Sequence, residues 1–269
     1  MSFSNILYEE AAGVATITIN RPHRLNALNI DTVHEMISAL GRASADAGVR
    51  VVVITGAGPS TGSGQADAFC AGADLKDAPD PMTPAVAHEV VGLYLDYVLA
   101  IRNVEKPVVA KVNGLALGGG CCTALASDIR IASERASFGL AFVNIGISGA
   151  DMGATYFLPR LVGYGRACEM LMTGEPIDAH EAGRIGLVNR TVPHEQLDAA
   201  TQEIVERLAS RPPLGLKFTK RALYSGLDRD WRAEFDYEHF AQVACLLTED
   251  YQEGRRAFFE KRQPTFRGR

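Results

Sequence analysis

The sequence lacks the features that most often mark a membrane or nucleic-acid-binding protein, namely long uninterrupted apolar runs and clustered basic residues. No run reaches the roughly 18 apolar residues of a membrane span. The 27 Lys and Arg residues are scattered among 32 Asp and Glu residues, which gives a net charge of -5. A scattered charge of this sign offers no polyanion-binding surface. We therefore expect neither a membrane nor a nucleic acid among its partners.

Cysteines are few, odd in number and irregularly spaced. The first eight residues contain no basic run followed by an apolar stretch, so a secretory signal is not expected. An odd number of cysteines without a framework spacing is typical of reduced thiols rather than of disulfides. We therefore predict a cytoplasmic protein with free thiols at Cys70, Cys121, Cys122, Cys168 and Cys245.

The common metal and nucleotide motifs are also missing. Four His-Glu pairs occur, but none is followed by the second His that would place two ligands on one helical face. The glycines around Gly118 do not have dinucleotide-binding spacing, and no lysine stands where a phosphate loop requires one. No metal and no nucleotide cofactor is predicted.

One hydrolase-like pattern is present at Gly58-Pro59-Ser60-Thr61-Gly62, which matches the nucleophile elbow and follows a predicted strand. An elbow serine must open directly into a helix, whereas this chain continues as a Gly-rich loop to Gly72. A serine hydrolase that uses Ser60 is therefore a minor alternative, and we expect no labelling of Ser60 by a fluorophosphonate probe.

Strand and helix patterns alternate through the first three quarters of the chain. Branched residues predict strands over 14–19, 51–55, 107–112 and 128–132, and Thr32 with Glu35 predicts a capping box for the helix that follows the first strand. Helical periodicity dominates after Asp151. We predict an α/β core over 1–200 and an all-helical region over 201–269.

Two segments place small residues where a backbone must approach something closely. They are Phe69-Cys-Ala-Gly-Ala-Asp-Leu75 and Asn113-Gly-Leu-Ala-Leu-Gly-Gly-Gly-Cys-Cys122. Either segment alone is weak, since glycines before a helix often serve only close packing.

Together these segments closely resemble the enoyl-CoA hydratase/isomerase (crotonase) superfamily. Further ordered motifs carry the same resemblance, which runs from about Leu7 to Phe266: RPHRLNAL from Arg21, DIRIA from Asp128, LPRLVG from Leu158, LMTG from Leu171, AGRIGLV from Ala182 and FFEK from Phe258. The resemblance implies a spiral of repeated β-β-α units with a C-terminal helical trimerisation region, and hence a homotrimer or a dimer of trimers.

The resemblance also implies an acyl-CoA thioester substrate, with coenzyme A as part of that substrate and no separate cofactor. The amides of Ala73 and Gly119 would form the oxyanion hole for the thioester carbonyl, which stabilises the negative charge of an enolate. The residues implied to bind the CoA portion are Arg24, Leu25, Ala27, Ala71, Gly72, Asp74, Leu75 and Lys261.

The sequence departs from the family at the catalytic acids. Family hydratases use two glutamates, and the matching positions hold Cys122 and Phe142. General acids and bases contribute about 10² to 10⁴ each, so simple hydration should be severely weakened. A silent acyl-CoA-binding homologue is therefore an alternative to an active enzyme.

Asp151 is the best substitute acid or base, because family members that shift double bonds carry an aspartate in the same loop. This favours isomerisation, although one extra residue is needed to align the loop. The alternative is that Asp151 caps a helix over 152–158. Cys122 has two interpretations as well: a nucleophile or acid whose pKa is lowered by a helix N-terminus, or a small buried apolar residue.

Overall fold

The computed structural model describes residues 3–58 and 67–269, so Ser60 and its elbow pattern lie outside the described residues. Within the described ranges the strands, in chain order, are β1 (Ile6–Ala11), β2 (Val14–Ile19), β3 (Val51–Gly56), β4 (Ala68–Cys70), β5 (Val108–Val112), β6 (Leu115–Leu117), β7 (Ile129–Ser133), β8 (Ser137–Gly139), β9 (Ile177–Asp178) and β10 (Arg190–Val192). The four predicted strands correspond to β2, β3, β5 and β7.

The helices surround these strands and take over the chain after β10. They are α1 (Ile30–Ala45), α2 (Pro84–Asn103), α3 (Gly119–Ala126), α4 (Ala154–Val162), α5 (Tyr164–Thr173), α6 (Ala179–Arg184), α7 (Leu197–Ala209), α8 (Pro213–Ser225), α9 (Trp231–Leu246) and α10 (Glu249–Glu260).

The strands form two sheets. The larger sheet has the order β1-β2-β3-β5-β7-β10 and is parallel except for the β1/β2 pair, and the smaller sheet has the order β4-β6-β8-β9. In the smaller sheet β4, β6 and β8 are parallel, and β9 is antiparallel to β8. The chain visits the sheets in turn, from β3 to β4, from β5 to β6 and from β7 to β8. This alternation is the repeated β-β-α spiral that the resemblance implies.

The larger sheet is buried on both faces, which explains its continuous apolar strands. Val52 and Ile54 of β3 face the main core, and the alternate residues Val51 and Val53 face a second cluster with Val205 of α7. The predicted boundary at residue 200 falls inside α7, which packs against this sheet. Helix α7 therefore packs with the core layers, and α8 to α10 follow it in the chain.

The predicted capping box of α1 is wrong. The helix begins one turn earlier, at Ile30, and the side chain of Asn29 accepts the N–H of Thr32 at 3.0 Å. Glu35 instead accepts the amides of Ser4 and Asn5, both at 2.8 Å. Because Asn29 is also a preferred cap, the spacing of polar residues alone did not distinguish the two starts.

Helix α2 is long and apolar enough, by length and composition alone, to cross a membrane. Its tyrosines Tyr94 and Tyr97 are buried in the core, whereas Val91, Leu95 and Leu99 are exposed. A single such helix is weak support for a membrane span, because core helices of other proteins pass the same test. Tyr94 also lines a cavity beside this helix.

Candidate active site

The two small-residue segments predicted from the sequence meet at one edge of the smaller sheet. Strands β4 and β6 are parallel neighbours, with Cys70 paired to Ala116, so the residues that follow them leave the sheet side by side. Gly72 has a φ of +92°, and a Cβ there would lie 2.8 Å from the carbonyl oxygen of Leu117 and 3.2 Å from the amide nitrogen of Gly119. Only glycine allows both this conformation and this approach.

The N–H of Ala73 points away from the segment that contains Leu28. Leu28 forms a parallel bridge with Ala73, in which the Leu28 amide donates to the Gly72 carbonyl at 2.7 Å and the Asp74 amide donates to the Leu28 carbonyl at 2.8 Å. The intervening Ala73 N–H lies on the opposite side and has no acceptor among the described residues. It is an available donor beside Gly119.

The amide of Gly119 is available for a different reason. Gly119 is the first residue of α3, and the first N–H groups of a helix have no intrahelical partner. No acceptor for it occurs within residues 3–58 and 67–269. The partial positive charge of the helix N-terminus adds to its attraction for an oxyanion. The structure therefore brings the two predicted donors, Ala73 and Gly119, to one place.

A cavity of about 510 Å³ opens in front of these amides. Ala73 and Gly119 both line it, together with Asp151. Its other walls are mainly apolar side chains of α2 and of the loops on either side, among them Leu75, Met82, Val90, Tyr94, Leu117, Phe142, Ile145, Ile147 and Met152. The volume and the few polar groups are typical of a small-molecule site.

Asp151 reaches this cavity on the loop between residues 146 and 153. Gly146, Met152 and Gly153 have φ values of 78°, 44° and 77°, so the loop turns sharply at both ends. Helix α4 begins at Ala154, and its N-cap is Gly153 without a side-chain cap. The interpretation of Asp151 as the helix cap is therefore wrong, and Asp151 is instead one of the residues that line the cavity.

Three carboxylates line the cavity among the described residues, and only Asp151 lacks a cationic partner there. Arg21 donates to Asp74 at 2.8 Å and to Asp77 at 2.9 Å. Burial alone would raise the pKa of Asp74, but the hydrogen bond from Arg21 lowers it below the usual value. Asp74 is thus held as an ionised partner of Arg21, and Asp77 is paired with the same guanidinium.

The pKa of Asp151 moves the other way. Burial raises it above the usual aspartate value, and the hydrogen bond from the Met152 amide, at 2.8 Å, only partly opposes this effect. A carboxyl group whose pKa is raised towards neutrality is suited to take up and return a proton. Asp151 is therefore the candidate acid or base of the cavity.

Cys122 lies in the first turn of α3, as predicted, but its side chain does not line the cavity. The residue is fully buried, and its thiol lies 4.0 Å from the backbone carbonyl of Asp151. Burial raises the pKa of this thiol well above its usual value. The expected lowering by the helix N-terminus is therefore wrong in sign, because desolvation outweighs the helix dipole.

Phe142 lines the cavity close to the glycines of α3. Its ring would lie 3.9 Å from a Cβ at Gly118, so it forms the wall beside the Gly119 amide. Two further residues were missed by sequence reasoning. Met152 places its sulfur 3.0 Å from the Cβ position of Gly119, and Tyr94 donates from its hydroxyl to the carbonyl of Leu28 at 2.7 Å.

The predicted CoA residues fall into three groups. Ala71, Gly72, Asp74 and Leu75 line the cavity, whereas Arg24, Leu25, Ala27 and Lys261 do not. The segment that contains Leu25 is nonetheless joined to the segment that contains Ala71, because the Ala71 amide donates to the Leu25 carbonyl at 3.0 Å. Lys261 is exposed at the C-terminal end of α10, and among the described residues it forms no hydrogen bond or ion pair with these segments.

The chain is similar to known proteins over nearly its whole length. A family model described as enoyl-CoA hydratase/isomerase matches residues 9–269. The probable enoyl-CoA hydratase EchA12 of Mycobacterium tuberculosis is 42% identical over 94% of this chain and 89% of that protein. The short-chain-enoyl-CoA hydratase of Clostridium acetobutylicum is 39% identical over 98% and 97%. The crystal structure of an enoyl-CoA hydratase from Bacillus anthracis superposes with a TM-score of 0.92 at 37% identity, covering 99% of this chain and 100% of that one.

The burial of Asp151 predicts how its substitution changes stability with pH. A carboxyl group whose pKa is raised by folding stabilises the fold below its unfolded pKa, and this contribution is lost as pH rises through the folded pKa. Asp151→Asn removes the cost of the buried charge. Urea unfolding should show that the variant gains more stability relative to wild type at about pH 8 than at about pH 4. A stability difference that does not change with pH would contradict the burial of this charge.

Proposed function

This chain belongs to the enoyl-CoA hydratase/isomerase (crotonase) superfamily, and we propose that it acts on an acyl-CoA thioester through an enolate held by the amides of Ala73 and Gly119. Asp151 moves the proton. One apolar cavity brings together two amide donors and one carboxyl group, and among the described residues the donors have no acceptor and the carboxyl group has no cationic partner. This observation carries the proposal.

The two amides supply the larger part of the rate. Removal of a proton from the α-carbon of a thioester puts negative charge on the carbonyl oxygen, and fixed donors in a water-poor cavity stabilise that charge without reorganisation. Loss of one such donor costs about 10² to 10³ in rate. Because both donors are backbone groups, their alignment depends on Gly72 rather than on their own side chains.

Asp151 is the one cavity carboxyl group without a cationic partner among the described residues, and a single proton carrier favours a double-bond shift. Asp151 takes the α-proton of a β,γ-enoyl thioester, and the electron pair passes into a dienolate whose charge lies on the thioester oxygen. The protonated Asp151 then returns the same proton to the γ-carbon, which gives the α,β-enoyl thioester. One group performs both transfers, and no oxidant, reductant or cofactor is consumed.

Hydration is the second candidate, because the relatives described above are named hydratases. In family hydratases two glutamates hold the water and protonate the α-carbon. The matching positions here are Cys122, which is buried, and Phe142, which forms part of the cavity wall. Neither side chain replaces a second carboxylate. Asp151 would have to activate water alone, so we expect hydration to be slower than isomerisation.

The CoA portion is proposed to follow the joined segments that contain Leu25 and Ala27 on one side and Ala71 to Leu75 on the other. The acyl cavity itself carries acidic rather than basic side chains, so the CoA phosphates must lie outside it. Arg24 and Lys76 are the cations that adjoin these two segments in sequence. Lys261, which is remote from them within one chain, would contribute from a neighbouring subunit.

A trimer, alone or as a dimer of trimers, is also proposed. The helical region after α8 exposes apolar side chains that a monomer would leave in water, notably Phe235, Phe240, Leu247, Phe258 and Phe259. Large exposed apolar patches mark interaction surfaces. Light scattering should give a mass of about three or six times the 28.9 kDa chain mass, and a monomer at micromolar concentration would exclude the assembly.

The reaction is tested by following α-proton exchange and double-bond migration together. We expect wild-type protein to incorporate deuterium from heavy water into a saturated acyl-CoA and to convert a 3-enoyl-CoA into the conjugated 2-enoyl-CoA. Both rates should fall by about 10² to 10⁴ in Asp151→Asn, because the proton carrier is lost. Product formation is measured by chromatography, and deuterium by mass spectrometry.

Matched cysteine variants provide the control. Cys121→Ala and Cys122→Ala remove equally buried thiols from the same helix turn, and both should leave exchange within a few-fold of wild type. A selective loss in Cys122→Ala would transfer the proton-carrying role to that thiol. Binding of the ester without exchange in any protein would support the silent acyl-CoA-binding alternative.

A further inference from the structure

A second cavity, of about 390 Å³, lies behind the C-terminal end of α2 and beneath α8. None of the described residues lines both this cavity and the candidate active site. Its walls are mostly apolar and come from α2, α3, α4, α7 and α8, with Leu125, Phe157, Leu161, Leu208, Leu216 and Leu223 among them. The charged residues that line it are Arg102 of α2, Arg160 of α4, Lys220 of α8, Asp128 just before β7 and Arg130 within β7.

The only acidic side chain that lines this cavity within residues 3–58 and 67–269 is already saturated. Asp128 accepts the Val108 amide at 2.7 Å, the Lys220 ammonium at 2.7 Å and the Tyr224 hydroxyl. Lys220 is in turn bound to the Lys106 carbonyl at 2.9 Å. Asp128 is therefore ion-paired with Lys220, and it forms no hydrogen bond or ion pair with Arg102 or Arg130.

Arg102 is left without a partner at this cavity. Its guanidinium lies over the ring of Tyr224 and 5.0 Å from the ring centroid of Phe157, and none of its N–H groups donates a hydrogen bond to a described residue. Aromatic faces attract the cation but accept none of its in-plane hydrogen bonds. The planar fork of donors that suits a carboxylate is thus still available.

Arg130 adds a second charge without a carboxylate. It is 4% exposed, its Nε donates to the Leu187 carbonyl at 2.7 Å, and its Nη1 donates to the Ser127 carbonyl at 2.7 Å. No described residue accepts from its Nη2. Burial lowers the pKa of Arg130 to about 10, so the side chain remains protonated at neutral pH. At the rim, Arg160 is paired with Asp228 at 3.0 Å.

We propose that this cavity binds a carboxylate that carries a hydrocarbon tail, with the carboxylate on Arg102 and the tail among the leucines. Two guanidinium groups that form no ion pair with a described carboxylate, in a cavity whose other walls are mostly apolar, match an amphipathic monoanion. An inorganic phosphate would fill the charged end but leave the apolar walls in contact with water. A neutral hydrocarbon would leave the guanidinium donors unpaired.

The proposal is tested with octanoate as the probe and octanamide as its uncharged isostere. The full-length protein is first saturated with octanoyl-CoA, which occupies the acyl site, and binding is then measured by isothermal titration calorimetry. We expect one octanoate per chain, bound about 10 to 100 times more tightly than octanamide, the ratio expected for charge-assisted hydrogen bonds. Inorganic phosphate should not compete with octanoate.

Variants locate the binding. Arg102→Gln should weaken octanoate binding by the same factor of about 10 to 100, whereas Arg232→Gln, which removes an exposed arginine stacked on Trp231, should not change it. Leu216→Trp fills the apolar end without touching the charges and should abolish binding. Circular dichroism confirms that each variant is folded.

Three results would overturn the proposal. They are equal affinity for octanoate and octanamide, octanoate binding that persists in both Arg102→Gln and Leu216→Trp, and the absence of saturable binding in the protein loaded with octanoyl-CoA. The last result would also be obtained if a neighbouring copy covered the cavity. Because acyl-CoA turnover is not the readout, none of these results depends on whether Asp151 is the acid or base.

Discussion

The close approach of two backbone segments is the constraint on which the rest of the site depends. The chain after β4 contacts the chain after β6 so tightly that a side chain at Gly72 would strike the Leu117 carbonyl. The parallel pairing of Cys70 with Ala116 sets this distance, and the bridge from Leu28 to Ala73 sets the direction of the Ala73 amide. Both donors are therefore products of the fold, and no single side chain supplies them.

The charges around the site are arranged so that one carboxyl group remains reactive. Arg21 forms ion pairs with both Asp74 and Asp77 and thereby fixes the segment that carries the oxyanion donor. Asp151 has no such partner among the described residues, and burial raises its pKa. Proteins commonly combine carboxylates that are ion-paired for structure with one carboxyl group of raised pKa that transfers protons.

Much of this arrangement could be predicted from the sequence, because it depends on local patterns. Runs of branched residues identified four strands, and the glycines identified both segments that meet at the site. What the sequence could not reveal depends on distant contacts. The choice between the two interpretations of Cys122, the turn that starts α4 at Ala154, and the arginine cavity under α8 each depend on elements that are far apart in the chain.

The most direct test of the account is the stretching frequency of a bound thioester carbonyl. Infrared difference spectroscopy of an acyl-CoA labelled with ¹³C at the carbonyl reports the polarisation of that bond by its hydrogen-bond donors. The account predicts a clear shift to lower frequency in the wild-type complex and a much smaller shift in folded Gly72→Ala that still binds the ester. A wild-type carbonyl that absorbs at its frequency in water would contradict the oxyanion hole at Ala73 and Gly119.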